Sequence, residues 1–557
     1  MKTLFTILFA FAAVELQAAI YNAATCNESD VRAQFASTVS GDTVQMPAGS
    51  AMWTNPLVVP CGVSIIGAGT NATFLTQSND ANGAIVMFAC NALTNTFPTR
   101  ISGFTIIGNT NVNSIDWGCI WMNTNFTSTA SLIGNAVPWR IDHIVFNGVP
   151  MNNIKVFNVH SGLIDDCVFL NTLYFPGQII RLTGSDSDFS GSYSWSIPYA
   201  YGGTNALYVE NCFFTNALSN IGAICDGDFG GSMVFRFNTS YNCTWNNHGT
   251  EGTTARSTRS YEIYENFWSA TEGNNQNIYA IQMRGGTGVI FSNTIIGYKF
   301  IEQPLFKRMN QYCTTVEGAS GLSRFDSNSA TIYDEGNWAY GTETAVWDSY
   351  LTGNFVFSNN PSWTVNQWSG YVIVNTNAPY FVTNDNFAPE YWFGQIVSNT
   401  TNALELINPK NSYADQGPQT PYFTLNSGDH YQFRKVYHAL DQIGVGSGDY
   451  LETTNSGWTF YDRDVPGGAI PPLANESSEP LYFWSNTLNS ASSGYSGQVV
   501  NFDNAGFFLV QTGRDYFDSA KPGYTPLVYP HPLVSPYTNN PPPTIADYTK
   551  TPGILTR

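Results

Sequence analysis

Asp142, Asp165, Glu210 and Arg236 occupy the second place of a short segment that recurs through the middle of the chain. If those segments stack in register about 4.8 Å apart, the four side chains form one stripe, each within reach of a shared ion or sugar. Two reactions suit such a stripe. In an elimination, Asp142, Asp165 and Glu210 hold calcium (Ca2+), which acidifies the proton beside a uronate carboxyl, and Arg236 or Arg284 removes it. In a hydrolysis, two of the carboxylates act as acid and as base or nucleophile. The same residue types at turns also serve only to keep a surface soluble.

A second cluster is the loop Asn246-Asn247-His248-Gly249-Thr250-Glu251-Gly252, followed by Arg256, Arg259 and Arg284. His248 is placed to be a general base oriented by Glu251, because histidine titrates near neutral pH and needs a partner to fix its tautomer. Arg181, Arg236, Arg256, Arg259, Arg284 and Arg308 are six of the 14 arginines, and they concentrate positive charge in an acidic chain. Arg256 and Arg259 are the candidate carboxylate-binding subsite. Tyr193, Trp195, Tyr199 and Tyr201 form an aromatic group, with Trp195 and Tyr199 the candidate stacking platform for a glycan. Arg284-Gly285-Gly286-Thr287-Gly288 lacks the lysine and helix of a phosphate loop, and no Gly-x-Ser-x-Gly elbow is present.

The element that must position these groups is the repeat itself. Six segments align, beginning at Ile141, Ile164, Val209, Phe235, Ile263 and Ile290, with first residues 23, 45, 26, 28 and 27 positions apart. One coil of a wide β-solenoid takes about that many residues, and the long gap is a coil plus an insertion over Gly184 to Gly203. The fourth place runs Ile144, Cys167, Cys212, Asn238, Asn266, Asn293, which predicts an internal ladder in which each amide bonds the next. One helix is expected, Glu28 to Ser37 with Asn27 as N-cap, covering the open end of the solenoid.

Three stretches carry a resemblance: Ser29-Asp30-Val31-Arg32-Ala33-Gln34-Phe35, Gly41-Asp42-Thr43-Val44-Gln45-Met46-Pro47-Ala48-Gly49 and Val63-Ser64-Ile65-Ile66-Gly67-Ala68-Gly69. Together they resemble the start of right-handed parallel β-helix proteins of the pectate-lyase-like superfamily. Ile141-Asp142-His143 with Gly162-Leu163-Ile164-Asp165 also resembles a short motif of pectate lyases. Gly513-Arg514-Asp515-Tyr516-Phe517 with Tyr529-Pro530-His531-Pro532 looks like the ending of uncharacterised secreted bacterial β-helix proteins. The resemblance spans roughly residues 25 to 300 and implies the fold. It does not choose among the lyases, hydrolases, esterases, tailspikes and adhesins that share it.

The expected architecture is an all-β, right-handed, single-stranded parallel β-helix with an N-terminal cap and an irregular C-terminal region. Residues 1–18 read as a signal peptide, 19–325 as the β-helix, 326–520 as its continuation with long loops, and 521–557 as a proline-rich strap and tail. Lys2, the apolar run Leu4 to Val14 and the small residues Ala18 and Ala19 have the layout of a secretory leader, so the chain is expected outside the cytoplasm. Of the nine cysteines, Cys26 and Cys61 are the first expected bridge.

Charged residues are only 11% of the chain and the net charge is −19, which argues against nucleic acid and anionic lipid as partners. No stretch is long and apolar enough for membrane insertion. The 14 Trp and 31 Tyr fit a polysaccharide partner. These readings favour a polysaccharide lyase on an acidic polysaccharide, with a glycoside hydrolase or a non-catalytic glycan-binding surface protein as alternatives.

Overall fold

The computed structural model describes residues 18–78, 86–90, 97–109, 118–124, 139–150, 152–157, 162–171, 178–184, 199–216, 222–247, 257–270, 279–298, 300–304, 325–326, 352–356, 361–369, 371–380, 390–407, 431–436, 443–444, 479–489 and 513–537. The chain is a parallel β-helix. Successive coils contribute strands to three parallel ladders. The first ladder includes Trp139–Asn147, Gly162–Asp165, Leu207–Glu210, Ser232–Arg236, Ser260–Tyr264, Thr287–Phe291 and Leu481–Trp484. The second continues each coil after a bend, through Val168–Asn171, Phe213–Asn216, Thr239–Tyr241, Phe267–Ser269, Thr294–Ile296 and Thr487–Asn489. The third is a nine-stranded sheet from Leu57–Pro60 to Phe300–Pro304.

The bend between the first two ladders explains the repeat. Its third place is left-handed on every aligned coil: His143, Asp166, Asn211, Phe237, Glu265 and Ser292 have φ between 50° and 57°, as does Ser485 at 53°. This conformation is costly for a residue with a Cβ, so neighbouring bonds must hold it. They do. The Oδ1 atoms of Asn238, Asn266, Asn293 and Asn486 accept the backbone N–H of Cys212, Asn238, Asn266 and Asn293 at 2.9 to 3.1 Å. Their Nδ2 atoms donate to the carbonyls of Val209, Phe235, Ile263 and Ile290 at 2.8 to 2.9 Å. The amide ladder therefore forms as expected, and it bonds main chain as well as neighbouring amides.

Inside, one apolar column, Ile141, Ile164, Val209, Phe235, Ile263, Ile290 and Phe483, runs the length of the first ladder. Phe146, Phe169 and Phe214 stack beside it with centroids 4.9 and 4.7 Å apart. Such burial of contiguous apolar side chains supplies the main driving force for the coil stack. The buried Cys119, Cys167, Cys212, Cys225 and Cys243 belong to this core as small apolar residues.

Three expectations change. Cys61 is disulfide-bonded but Cys26 is free and buried, so these two are not partners. The helix is Glu28–Phe35, and Asn27 makes no side-chain cap; Glu28 is instead fixed by the backbone N–H groups of Thr54 and Asn55, both 2.9 Å away. The third change lies in residues 326–520. Thr487–Asn489 and Leu481–Trp484 do extend the solenoid, but Tyr371–Tyr380, Glu390–Asn399, Ala403–Ile407, Tyr431–Val436 and Thr352–Val356 form an antiparallel sheet. That sheet has its own core around Trp363, Trp368, Ile373, Leu404 and Phe433. Alternating strand residues look alike in parallel and antiparallel pairing, which is why the sequence pattern did not separate the two.

Candidate functional site

Register confirms the stripe and removes its chemistry. Asp142, Asp165, Glu210 and Arg236 are consecutive partners on the outer side of the first ladder, continued by Tyr264, Phe291 and Trp484. All four charged groups are fully buried. Arg100 Nε and Nη2 donate to the two oxygens of Asp142 at 2.7 and 2.6 Å, and Ser102 Oγ adds a bond at 3.0 Å. His143 Nδ1 lies 2.5 Å from Asp142 Oδ2. Arg140 makes the same two-point contact with Asp165, at 2.8 and 2.6 Å. Arg236 Nε donates to Glu210 Oε2 at 2.7 Å. Two-point contacts of this kind are the strong form of the ion pair.

The cover over this column is the C-terminal segment. Arg236 donates to the carbonyls of Leu527 and Val528 at 2.7 and 3.1 Å, and Glu210 Oε1 accepts the backbone N–H of His531 at 2.9 Å. Tyr524 donates to Glu262 at 2.6 Å, and Leu527, Leu533 and Val534 pack on Leu163, Tyr208 and Val234.

Electrostatics follow the geometry. Burial pushes Asp165 up to about 6 and Asp166 up to about 8, with neighbouring carboxylates adding to it. At Asp142 burial acts upward too, but the Arg100 and His143 bonds and the arginine charges outweigh it and hold the carboxyl below the usual range. Asp142, Asp165 and Glu210 are thus arginine partners and leave no open edge for calcium. Among the described residues, no group of three or more His, Cys, Asp or Glu is placed to hold a metal ion. Arg236, sealed and bonded through all three of its nitrogens, is not positioned to meet a substrate proton.

His248, Glu251, Arg256 and Trp195 lie outside the described residues. Arg259 is buried and pairs with Glu479 at 3.2 Å, which is a structural contact rather than a substrate subsite. The Tyr199 hydroxyl donates to Glu262 Oε1 at 2.7 Å while its ring meets Tyr201 edge-on, so it is a packing residue and not a stacking platform. Arg284 follows the third-ladder strand Tyr279–Met283, and its N–H donates to Asn247 Oδ1 at 2.6 Å. It therefore belongs to a different ladder from Arg236.

That third ladder carries a column that the repeat alignment missed. Its inward side chains, Ile120, Ile154, Ile180, Cys225, Trp245 and Ile281, are in the core. The residues directly after them point outward and are register partners from coil to coil: Trp121, Lys155, Arg181, Asp226, Asn246 and Gln282. Lys155 Nζ lies 5.8 Å from the Trp121 ring centre and 5.3 Å from that of Phe157. Arg181 Nη1 donates to Asp226 at 2.9 Å, and Nη2 is bonded to Asp228. The Arg181 side chain keeps 24% of its surface exposed, against none for Arg236. A lysine, an arginine, a tryptophan ring and the Asn246 amide thus keep partial exposure along one line, while Asp226 and Gln282 on the same line are buried.

No family model matches this chain, and no curated protein matches it. Among the solved structures that resemble it are two of low identity. One is the alginate lyase AlyGC of family PL6, at 15% identity and a TM-score of 0.29, covering 50% of this chain and 40% of that one. The other is ORF18 of Geobacillus virus E2, at 13% identity and a TM-score of 0.30, covering 72% and 76%. The chain thus spans less than half the length of the lyase. Among the described residues no helix is long and apolar enough to cross a membrane.

Proposed function

We propose that the chain is a carbohydrate-active protein, a polysaccharide lyase that takes an acidic polysaccharide along the outer face of the third ladder. The observation that supports this reading most is the register column Trp121, Lys155, Arg181, Asp226, Asn246, Gln282. β-Elimination needs a cation to hold the uronate carboxylate and a base for the carbon-bound proton beside it. Arg181, fixed by Asp226 and Asp228, takes the first role and Lys155 the second. Lys155, as the uncharged amine, takes the proton with its lone pair, the electron pair of the broken carbon–hydrogen bond forms the ring double bond, and the glycosidic carbon–oxygen bond breaks with its pair going to the leaving oxygen, which takes a proton from water. Trp121 offers a face for a sugar ring, and Asn246 offers a neutral partner for a hydroxyl.

A second reading, glycan binding without cleavage, is favoured by one observation. Asp226 and Asp228 already engage Arg181, which weakens it as an anion clamp. The test is incubation with a panel of uronate and neutral polysaccharides, following the absorbance of unsaturated uronate ends and the appearance of reducing ends in parallel. Absorbance that rises in wild type and is lost in Lys155→Ala supports the lyase. Reducing ends without absorbance identify a hydrolase. Silence in both channels from folded protein, with binding lost in Trp121→Ala, establishes the binder.

A further inference from the structure

The first coil begins with an unusual contact. The backbone N–H of Ala19 donates to Asp42 Oδ1 at 2.8 Å, while Ala19 O accepts the N–H of Thr43 at 2.9 Å. From there Ile20–Asn22 runs parallel to Thr43–Gln45 as the first strand pair. Asp42 Oδ2 accepts the N–H of Val39 at 2.8 Å, and the residue is only 3% exposed. A buried carboxylate ordinarily has a cation beside it, because neutral donors alone replace only part of its lost hydration. The hydrogen bonds of Asp42 among the described residues come from two backbone N–H groups, and one of these belongs to the exposed pair Ala18 and Ala19. That pair directly follows the apolar run Leu4 to Val14 and Leu16-Gln17, where an export peptidase that requires a small residue would cut.

We propose that the chain is cut between Ala18 and Ala19, and that the α-ammonium so created at Ala19 is the counter-charge of Asp42, locking the first coil. The reaction is a peptide hydrolysis: water adds across the Ala18–Ala19 bond, Ala18 leaves with a carboxylate, and the Ala19 nitrogen gains protons. An amide donor 2.8 Å from Asp42 becomes a charged one at the same place, and charge-assisted bonds are about twice as strong as neutral ones. A cut one residue later would remove the atom that reaches Asp42. A cut one residue earlier would leave that atom an uncharged amide. Maturation therefore adds a charge to a contact that the first coil already makes. The paired amine stays protonated above the ordinary range for a chain terminus, about 7.7–8.0. Its contribution is full below that range and is lost as pH rises through the higher value.

The experiment uses the full chain with its leader, expressed in a bacterium that exports it. Intact mass of the exported protein is expected to match a chain starting at Ala19. Acylation of the α-amine by a succinimidyl ester at pH 8 is then expected to run about fivefold slower in folded wild type than in Asp42→Asn, the effect at that pH of a rise of about one unit in the amine's titration. The urea-unfolded wild-type chain is a second reference if Asp42→Asn does not fold. A terminus at any other residue overturns the proposal. So does an acylation rate in folded wild type equal to that of the variant or of the unfolded chain.

Discussion

The two outer faces of this solenoid carry charge in opposite ways. On the first ladder, Arg100, Arg140 and Arg236 lock onto Asp142, Asp165 and Glu210, and the segment from Lys521 to Tyr537 covers the last of these pairs. On the third ladder, Lys155 and Arg181 remain partly exposed beside Trp121. Both faces obey the same register rule, so side chains of like kind fall in line. What separates structure from chemistry is the cover and the pairing, neither of which the column itself specifies.

The comparison breaks most visibly if the sealed face tolerates damage. Arg236→Ala leaves Glu210 as an uncompensated buried charge and frees two strap carbonyls, so it is expected to cost about 3–5 kcal/mol in urea unfolding. A loss below about 1 kcal/mol would mean that the ladder does not hold the face together. Lys155→Ala tests the open face. It is expected to change stability by less than about 1 kcal/mol and to cut turnover on the cleaved polysaccharide by roughly 10²–10⁴-fold. Equal turnover in the variant would move the base elsewhere.

Acid is expected to loosen the cover. Burial lowers His531 to about 4, with Arg236 and Arg140 adding to it, and its Nδ1 accepts the N–H of Leu533 at 3.1 Å. The docked ring is therefore neutral, whereas a released histidine binds its proton near 6.5. Docking stability is complete above 6.5 and declines as pH falls toward about 4. Asp165 and Asp166, raised by burial, work in the opposite direction over their own ranges, contributing fully at low pH and losing that contribution as pH rises. Limited proteolysis of residues 521–537 between pH 7 and 4.5 should show opening in wild type. His531→Asn, which keeps an acceptor for Leu533, should flatten the response; an unchanged profile would remove His531 as its cause. The smallest expected effect is that of Trp121→Ala, a rise of about fivefold in KM from one lost stacking contact worth about 1 kcal/mol.

The solenoid was legible because its first ladder repeats with near-constant spacing, and because Asn238, Asn266 and Asn293 mark the bend. The register of Asp142, Asp165, Glu210 and Arg236 was legible for the same reason. Their burial was not. The partners Arg100 and Arg140 sit two residues earlier on their strands, and the cover comes from almost 300 residues away in the chain. Lys155 was missed because third-ladder strands follow the first-ladder segments at unequal distances, so aligning the repeat on Ile141 scatters them. The available signal was local: Ile154-Lys155-Val156, Ile180-Arg181-Leu182 and Cys225-Asp226-Gly227 each place a charged residue between two inward positions.

The most direct measurement is hydrogen exchange with and without an acidic oligosaccharide that the protein binds. Slowed exchange in Asn152–Phe157, Gln178–Thr183 and Gly222–Asp228, with none in residues 521–537, is the predicted result. Protection confined to residues 521–537 and Leu207–Glu210 would contradict it and return the working face to the first ladder.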